Sequence, residues 1–319
     1  MVIAVFFVVL GLALLMFGAD RFVDGAAALA ANLGVPPLLI GLTVVGFATS
    51  APELLVAASA SFAGNPSIAV GNAIGSNIAN IGLVLGVTAL VMPFAVQSQV
   101  LKREFPIMFA AMVLALALFW DGELSRIDGI YLSIGLLVMM ALTTWIGMKG
   151  SESKSPDHSA VANLPSLSTS RALALSFIGL VCLIIGSDRL VSGAVTIATH
   201  FGISDLVIGL TIVAIGTSLP ELAASAASAM KGESDIALGN VIGSNMFNIL
   251  GVTAAPALIL PSMLEPAVMS RDLPIMFGLT VALYLMALGK NGQINRARGF
   301  FLLIAFVGYQ YLLYSSATA

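Results

Sequence analysis

Glu53 and Glu221 stand inside apolar stretches and close two related motifs, Thr49-Ser50-Ala51-Pro52-Glu53 and Thr217-Ser218-Leu219-Pro220-Glu221. A charged side chain at the centre of a bilayer helix costs at least ~2.5–3.5 kcal/mol, so such residues face a cavity and do work there. Spacings of three and four put Thr49 and Ser50 on the helix face of Glu53, and Thr217 and Ser218 on that of Glu221. Proline removes a backbone hydrogen bond and clashes with the carbonyl four residues back. Pro52 and Pro220 therefore offer the carbonyls of Ala48 and Gly216 as further oxygens. A second pair of motifs contributes Ser76, Asn77 and Asn80, and later Ser244, Asn245 and Asn248. Ser76 and Asn80 are four apart and share a face, as do Ser244 and Asn248. The donors are carboxylate, hydroxyl, amide and main-chain oxygen, with no buried histidine or thiol cluster. Such sets suit hard cations such as calcium, sodium or magnesium, and not zinc or copper. Two carboxylates balance one divalent ion. The competing structural roles are a glutamate neutralised by a hidden Lys or Arg, a protonated structural glutamate, and Ser and Asn residues that bond helix to helix. No spanning segment has a basic residue near mid-depth, which weakens the first. For the Ser and Asn residues, bonding between helices and ligation are evenly matched.

These residues need a scaffold that keeps them out of water. Of 319 residues, 59% are hydrophobic and 9% charged, against about 25% charged in soluble proteins. A soluble surface cannot be covered with so little charge, so the chain is an integral membrane protein. The net charge of −3 decides nothing, because the charges sit at helix ends. Cys182 is the single cysteine and packs as a small apolar residue. Val2 to Ala19 is apolar with no basic start, a first span and not a cleaved signal. A spanning helix needs roughly 20 apolar residues. Such runs fall near 2–30, 36–62, 67–92, 104–119, 128–147, 171–199, 204–230, 235–260, 272–289 and 298–315. The expected fold is all-α with ten transmembrane helices, since barrel strands would alternate polar and apolar residues. Asn65-Pro66 and Lys231-Gly232-Glu233 mark tight turns. Residues 149–170 are polar and aperiodic and read as a flexible linker, with His158 solvated in it.

An ungapped offset of 168 superimposes the two halves: Gly18-Ala19-Asp20-Arg21 on Gly186-Ser187-Asp188-Arg189, Gly71-Asn72 through Asn80 on Gly239-Asn240 through Asn248, and Arg103 on Arg271. The expected organisation is a first repeat at 1–148, a linker at 149–170 and a second repeat at 171–319. Five helices per repeat make the repeats inverted, a common plan for secondary transporters. With both termini outside and the linker cytoplasmic, ten basic residues face the cytoplasm (Arg21, Lys102, Arg103, Lys149, Lys154, Arg171, Lys231, Lys290, Arg296, Arg298). Three face outward: Arg126, Arg189 and Arg271. The positive-inside rule favours this orientation in a cell membrane. Asp20, Arg21, Asp24, Asp188 and Arg189 lie toward helix ends, where anchoring or local pairing is expected.

In the paired motifs around Glu53 and Glu221 the sequence resembles the sodium/calcium exchanger family of the cation/calcium antiporter superfamily, most of all its compact prokaryotic members, over nearly the whole chain. The resemblance implies ten helices in two inverted fives, with ion sites between helices two, three, seven and eight. It implies that Glu53 and Glu221 coordinate calcium and sodium. Support would come from Thr49, Ser50, Ser76, Asn80, Thr217, Ser218, Ser244 and the position of Asn248, with main-chain oxygens from Gly46 and Ala214 in place of Ala48 and Gly216. Some relatives carry aspartate where this chain has Asn248. In the potassium-dependent branch that aspartate is linked to potassium, so no potassium requirement is expected here. The expected function is electrogenic exchange of sodium for calcium by alternating access. In it only the ion-neutralised states let the first and sixth helices slide across the core. A proton/calcium or other divalent-cation antiporter on the same scaffold is the alternative. An intramembrane hydrolase and a passive cation channel are weaker alternatives. No cofactor, nucleic acid or obligate protein partner is expected beyond calcium, sodium or protons, and the lipid bilayer.

Overall fold

The computed structural model describes residues 1–33, 49–96, 98–151, 167–230, 234–288 and 292–318. Apolar runs of this length can satisfy their backbone in hydrocarbon only as helices, and the described chain is helical nearly throughout. In order the helices are α1 (Val2–Asn32), α2 (Ala51–Phe62), α3 (Pro66–Val91), α4 (Ser98–Leu118), α5 (Arg126–Ser151), α6 (Thr169–Phe201), α7 (Asp205–Met230), α8 (Ser234–Ile259), α9 (Val268–Ala287) and α10 (Arg296–Thr318). Among the described residues, all but α2 and α4 are long and apolar enough to cross a membrane. The start of the second expected segment, with Gly46 and Ala48, lies outside the described residues, as does most of the linker, including His158.

Several boundaries differ from expectation. The fourth helix begins at Ser98, not 104, because Lys102, Arg103 and Glu104 extend a helix without adding apolar length. The seventh expected segment is interrupted. Short helices Asp205–Ile208 and Ala214–Thr217 flank a π turn at Gly209–Val213, and Leu219–Met230 follows after Ser218. Pro220 offers no N–H to the Gly216 carbonyl, which is where a helix breaks. The all-α expectation omits four two-residue strands. They are β1 (Phe94–Ala95), β2 (Glu123–Leu124), β3 (Ser262–Met263) and β4 (Gln293–Ile294). β1 pairs antiparallel with β4, and β2 with β3. Two residues carry no readable alternation, so sequence periodicity could not reveal them. Each pair joins one half of the chain to the other.

The repeat is visible in the helix irregularities. α3 is Pro66–Ala79, a π turn at Asn80–Val84, then Leu85–Val91. In the second half Ser234–Phe247 leads into a π turn at Asn248–Val252 and then Thr253–Ile259. Each boundary recurs after 168 residues. These two helices form the centre: 78% of the apolar window of each is buried, against 17% for α5 and 22% for α6.

α1 and α6 run antiparallel against one another. Gly11, Gly18 and Gly25 lie seven apart, as do Gly179, Gly186 and Gly193. Each sits against the partner helix's backbone. A Cβ on Gly11 would stand 2.6 Å from the Leu190 nitrogen, one on Gly18 2.9 Å from the Gly179 oxygen, and one on Gly193 2.6 Å from the Ala4 oxygen. The charges expected toward helix ends lie inside these long helices, because α1 runs on to Asn32 and α6 to Phe201, and they pair locally. Arg21 lies 3.8 Å from Asp24 and over the Phe17 ring, and Arg189 lies 3.7 Å from Asp188 and over the Phe7 ring.

A buried network ties α9 to α10. Asp272 is fully buried and accepts from Arg271 Nε at 2.7 Å, Arg271 Nη2 at 3.2 Å and the Tyr309 hydroxyl at 2.9 Å. Arg271 Nη1 also donates to Ser316 Oγ at 3.1 Å. Removing one partner of a buried pair costs about 3–5 kcal/mol, because the other charge is left alone. Arg271→Met should therefore lower the melting temperature in detergent by about 5 °C. A fluorescence melt with no shift would show that the pair does not stabilise the fold.

Candidate cation site

Close backbone approach assembles the site. A Cβ on Gly71 of α3 would stand 2.6 Å from the Leu206 oxygen, and one on Gly75 2.8 Å from Leu210 Cα. From the other side, a Cβ on Gly209 would stand 2.5 Å from the Ile68 oxygen. α3 and the first half of α7 therefore touch main chain to main chain, as small residues allow. That contact brings Asn72 and Ser76 of α3 against Thr217 of α7.

Asn72 joins the two glutamate motifs. Its Nδ2 donates to the Glu53 carbonyl at 3.1 Å. Its Oδ1 accepts from Thr217 Oγ1 at 3.1 Å and Ser76 Oγ at 3.5 Å. Ser76 Oγ and Thr217 Oγ1 lie 3.4 Å apart. On the repeat-related side, Thr49 Oγ1 donates to Asn240 Oδ1 at 3.5 Å and Asn240 Nδ2 donates to Ser225 Oγ at 3.2 Å. Sequence reasoning passed over Asn72 and Asn240 as parts of the site. A signal was available, since Asn72, Ser76 and Asn80 recur every four residues on one face of α3.

The candidate ligands are buried and short of partners. Glu53, Glu221, Ser50, Asn80 and Asn248 are fully buried, and Ser218 and Ser244 are 1% exposed. Both carboxylate oxygens of Glu53 and of Glu221 have no hydrogen-bond partner, nor do Ser50 Oγ, Ser218 Oγ, Ser244 Oγ, Asn80 Oδ1 and Asn248 Oδ1. Neither glutamate takes part in an ion pair among the described residues. Buried polar atoms are nearly always satisfied, so a group of orphaned oxygens needs an explanation. A hard cation that draws on many oxygens supplies one. The Thr217 and Thr49 hydroxyls donate to the Oδ1 atoms of Asn72 and Asn240, at 3.1 and 3.5 Å, which fixes the direction in which each hydroxyl points. The Ala214 carbonyl accepts from the Ser218 N–H at 3.1 Å and, more weakly, from Thr217 Oγ1 at 3.4 Å. Gly46, the matching position in the first repeat, lies outside the described residues.

A shallow cleft lies away from the glutamates, at the N-terminal ends of α3 and α7, lined by Ser67, Val70, Leu206, Leu264, Glu265 and Val268. Burial pushes the Glu265 carboxyl above its usual range, a shift that the Ser67 hydroxyl opposes and the nearby Asp205 and Asp272 carboxylates reinforce.

The family profile described as sodium/calcium exchanger protein matches residues 3–145 and 171–315. The chain belongs to the sodium/calcium exchanger family. It is 48% identical to the relative that bears the name "Putative antiporter CaxA", from Alkalimonas amylolytica, over 99% of this chain and 100% of that one. It is 32% identical to the sodium/calcium exchanger MaX1 of Methanosarcina acetivorans, over 96% and 97% of the two chains. Among solved structures, the sodium-calcium exchanger NCX_Mj soaked with 10 mM Na+ and 10 mM Sr2+ superimposes with a TM-score of 0.66 at 36% identity, covering 96% of this chain and 97% of that one. As a member of this family the chain is a multi-pass membrane transporter, and cation/calcium antiport is its activity class.

Proposed function

We propose that this chain exchanges sodium for calcium by alternating access, with the ions held between Glu53 and Glu221. Thr49, Ser50, Ser76, Asn80, Thr217, Ser218, Ser244, Asn248 and the carbonyls of Gly46 and Ala214 complete the site. The carrying observation is the set of buried, unpartnered oxygens on two repeat-related glutamate motifs. Hydroxyl and amide oxygens beside each carboxylate favour a metal ion over a bare proton, which needs no cage. The organisation is two inverted repeats of five helices, 1–148 and 171–319, joined by a cytoplasmic linker at 149–170, with both termini outside a cell membrane. The antiparallel α1–α6 pair and the recurrence of the π turn at Asn80–Val84 as Asn248–Val252, 168 residues on, support it. Neutralisation by several sodium ions or one calcium ion lets the site cross between faces, because bare carboxylates in an apolar path are too costly. Unequal charge movement makes the exchange electrogenic.

Proteoliposomes loaded with sodium and diluted into sodium-free buffer should take up radiolabelled calcium with a protonophore present. A valinomycin-clamped, inside-positive potential should speed uptake, since net positive charge leaves with sodium. Uptake indifferent to that potential would exclude electrogenic exchange. The second reading, proton/calcium exchange, is favoured by one feature: neither glutamate has a charged partner, so each can take a proton as its counter-charge. Uptake that follows an imposed proton gradient, and vanishes with the protonophore, would establish it instead.

A further inference from the structure

We propose that Asn77 and Asn245 are positioning residues that set which end of the Asn80 amide faces the cation. The inference deepens the site described above and rests on that reading. The two residues are repeat-related and both buried, 2% and 3% exposed. They clasp one another reciprocally. Asn77 Nδ2 donates to the Asn245 carbonyl at 3.1 Å, and Asn245 Nδ2 to the Asn77 carbonyl at 3.5 Å.

A main-chain carbonyl can only accept, so each amide must turn its NH2 toward the other's backbone. That choice fixes the rest. With Nδ2 committed to the Asn77 carbonyl, Asn245 Oδ1 faces Asn80 and accepts from Asn80 Nδ2 at 3.0 Å. Asn80 Oδ1 is thereby turned the other way, buried and without a hydrogen-bond partner. Reversing Asn245 would set its oxygen against the Asn77 carbonyl and its NH2 against that of Asn80. Asn80 would then reverse as well, presenting NH2, the positive end of the amide dipole, where the site needs an oxygen. A backbone carbonyl one turn away thus decides the polarity of a side chain beside the ion, through Asn245 as intermediary.

The mirror relay stands half-built. Asn77 Oδ1 and Asn248 Nδ2 are the repeat equivalents of Asn245 Oδ1 and Asn80 Nδ2, and both lack a partner. Only Asn80 is oriented in this conformation, so the test is placed there.

Calcium KM and maximal uptake rate would be measured in proteoliposomes for the wild type, Asn80→Ala, Asn245→Ala and the double variant. The sodium gradient or the proton gradient would be used, whichever drives the wild type. Loss of an outer partner of a metal ligand weakens metal affinity about 10–100-fold. Asn245→Ala should raise KM about tenfold while the maximal rate holds within about twofold. In the Asn80→Ala background the same change should add nothing further to KM, because its target is gone. Additive effects, or a loss confined to the maximal rate, would reduce Asn245 to a packing residue and overturn the proposal with the site intact. An Asn80→Ala variant with wild-type KM would overturn both the proposal and the place of Asn80 in the site. If Asn245→Ala does not fold, Asn245→Ser carries the same comparison. It leaves a small polar group but no oxygen in reach of Asn80.

Discussion

Glu221→Gln should abolish calcium uptake while leaving the protein folded. The two carboxylates together match the charge of one calcium ion. With one removed, a calcium-loaded site carries a net positive charge through the apolar core. A charge there costs at least ~2.5–3.5 kcal/mol; at 1.4 kcal/mol per decade this weakens loading on the order of a hundredfold. Both carboxylate oxygens are buried without hydrogen bonds, so the amide relieves an unfavourable charge. The melting temperature in cation-free buffer should stay level or rise. Calcium should raise the melting temperature of the wild type, because it binds the native state, and should fail to do so in the variant. Glu53→Gln should behave alike, as its repeat equivalent. Substantial uptake by either variant would remove the glutamates from the site. A variant that melts far below the wild type without cations would make them structural.

Gly18→Leu should cripple transport without emptying the site. A Cβ at Gly18 already meets the Gly179 oxygen at 2.9 Å and the Leu183 nitrogen at 3.0 Å, and a leucine would force α1 and α6 apart. Overpacking of this kind costs typically about 1–3 kcal/mol in stability. If α1 and α6 slide across the core as one unit, the larger consequence is kinetic. Maximal calcium uptake should fall about tenfold or more, for about 1.4 kcal/mol added to the moving step, while calcium still raises the melting temperature. Gly308→Ala, with nothing within 4 Å of the added Cβ, is the control. Uptake at the wild-type rate by Gly18→Leu would show that the close glycine contact is dispensable for exchange.

The sequence by itself determined the membrane class, most of the helical segments, the internal repeat and which residues are candidate ligands. Apolar length, charge scarcity and a fixed offset of 168 are properties of the chain alone. Glu53 and Glu221 were legible because a carboxylate in an apolar run is costly wherever the helices go. The hydroxyls beside them were legible because spacings of three and four place side chains on one helix face before any packing is known. The tertiary structure decided what those oxygens are bonded to. Asn72 meets Thr217 across 145 positions of sequence, and Asn80 meets Asn245 across 165. The first pairing depends on how far glycines such as Gly71 and Gly209 let α3 and α7 approach, and the second on how α3 and α8 cross at the centre. The sequence showed the asparagines as matched pairs of possible ligands. Packing left the oxygens of Asn80 and Asn248 without hydrogen bonds, and made braces of Asn72 and Asn240, which the sequence reading does not include. Donors and acceptors are chosen by proximity and direction, and no one-dimensional pattern specifies either between helices that meet only after folding.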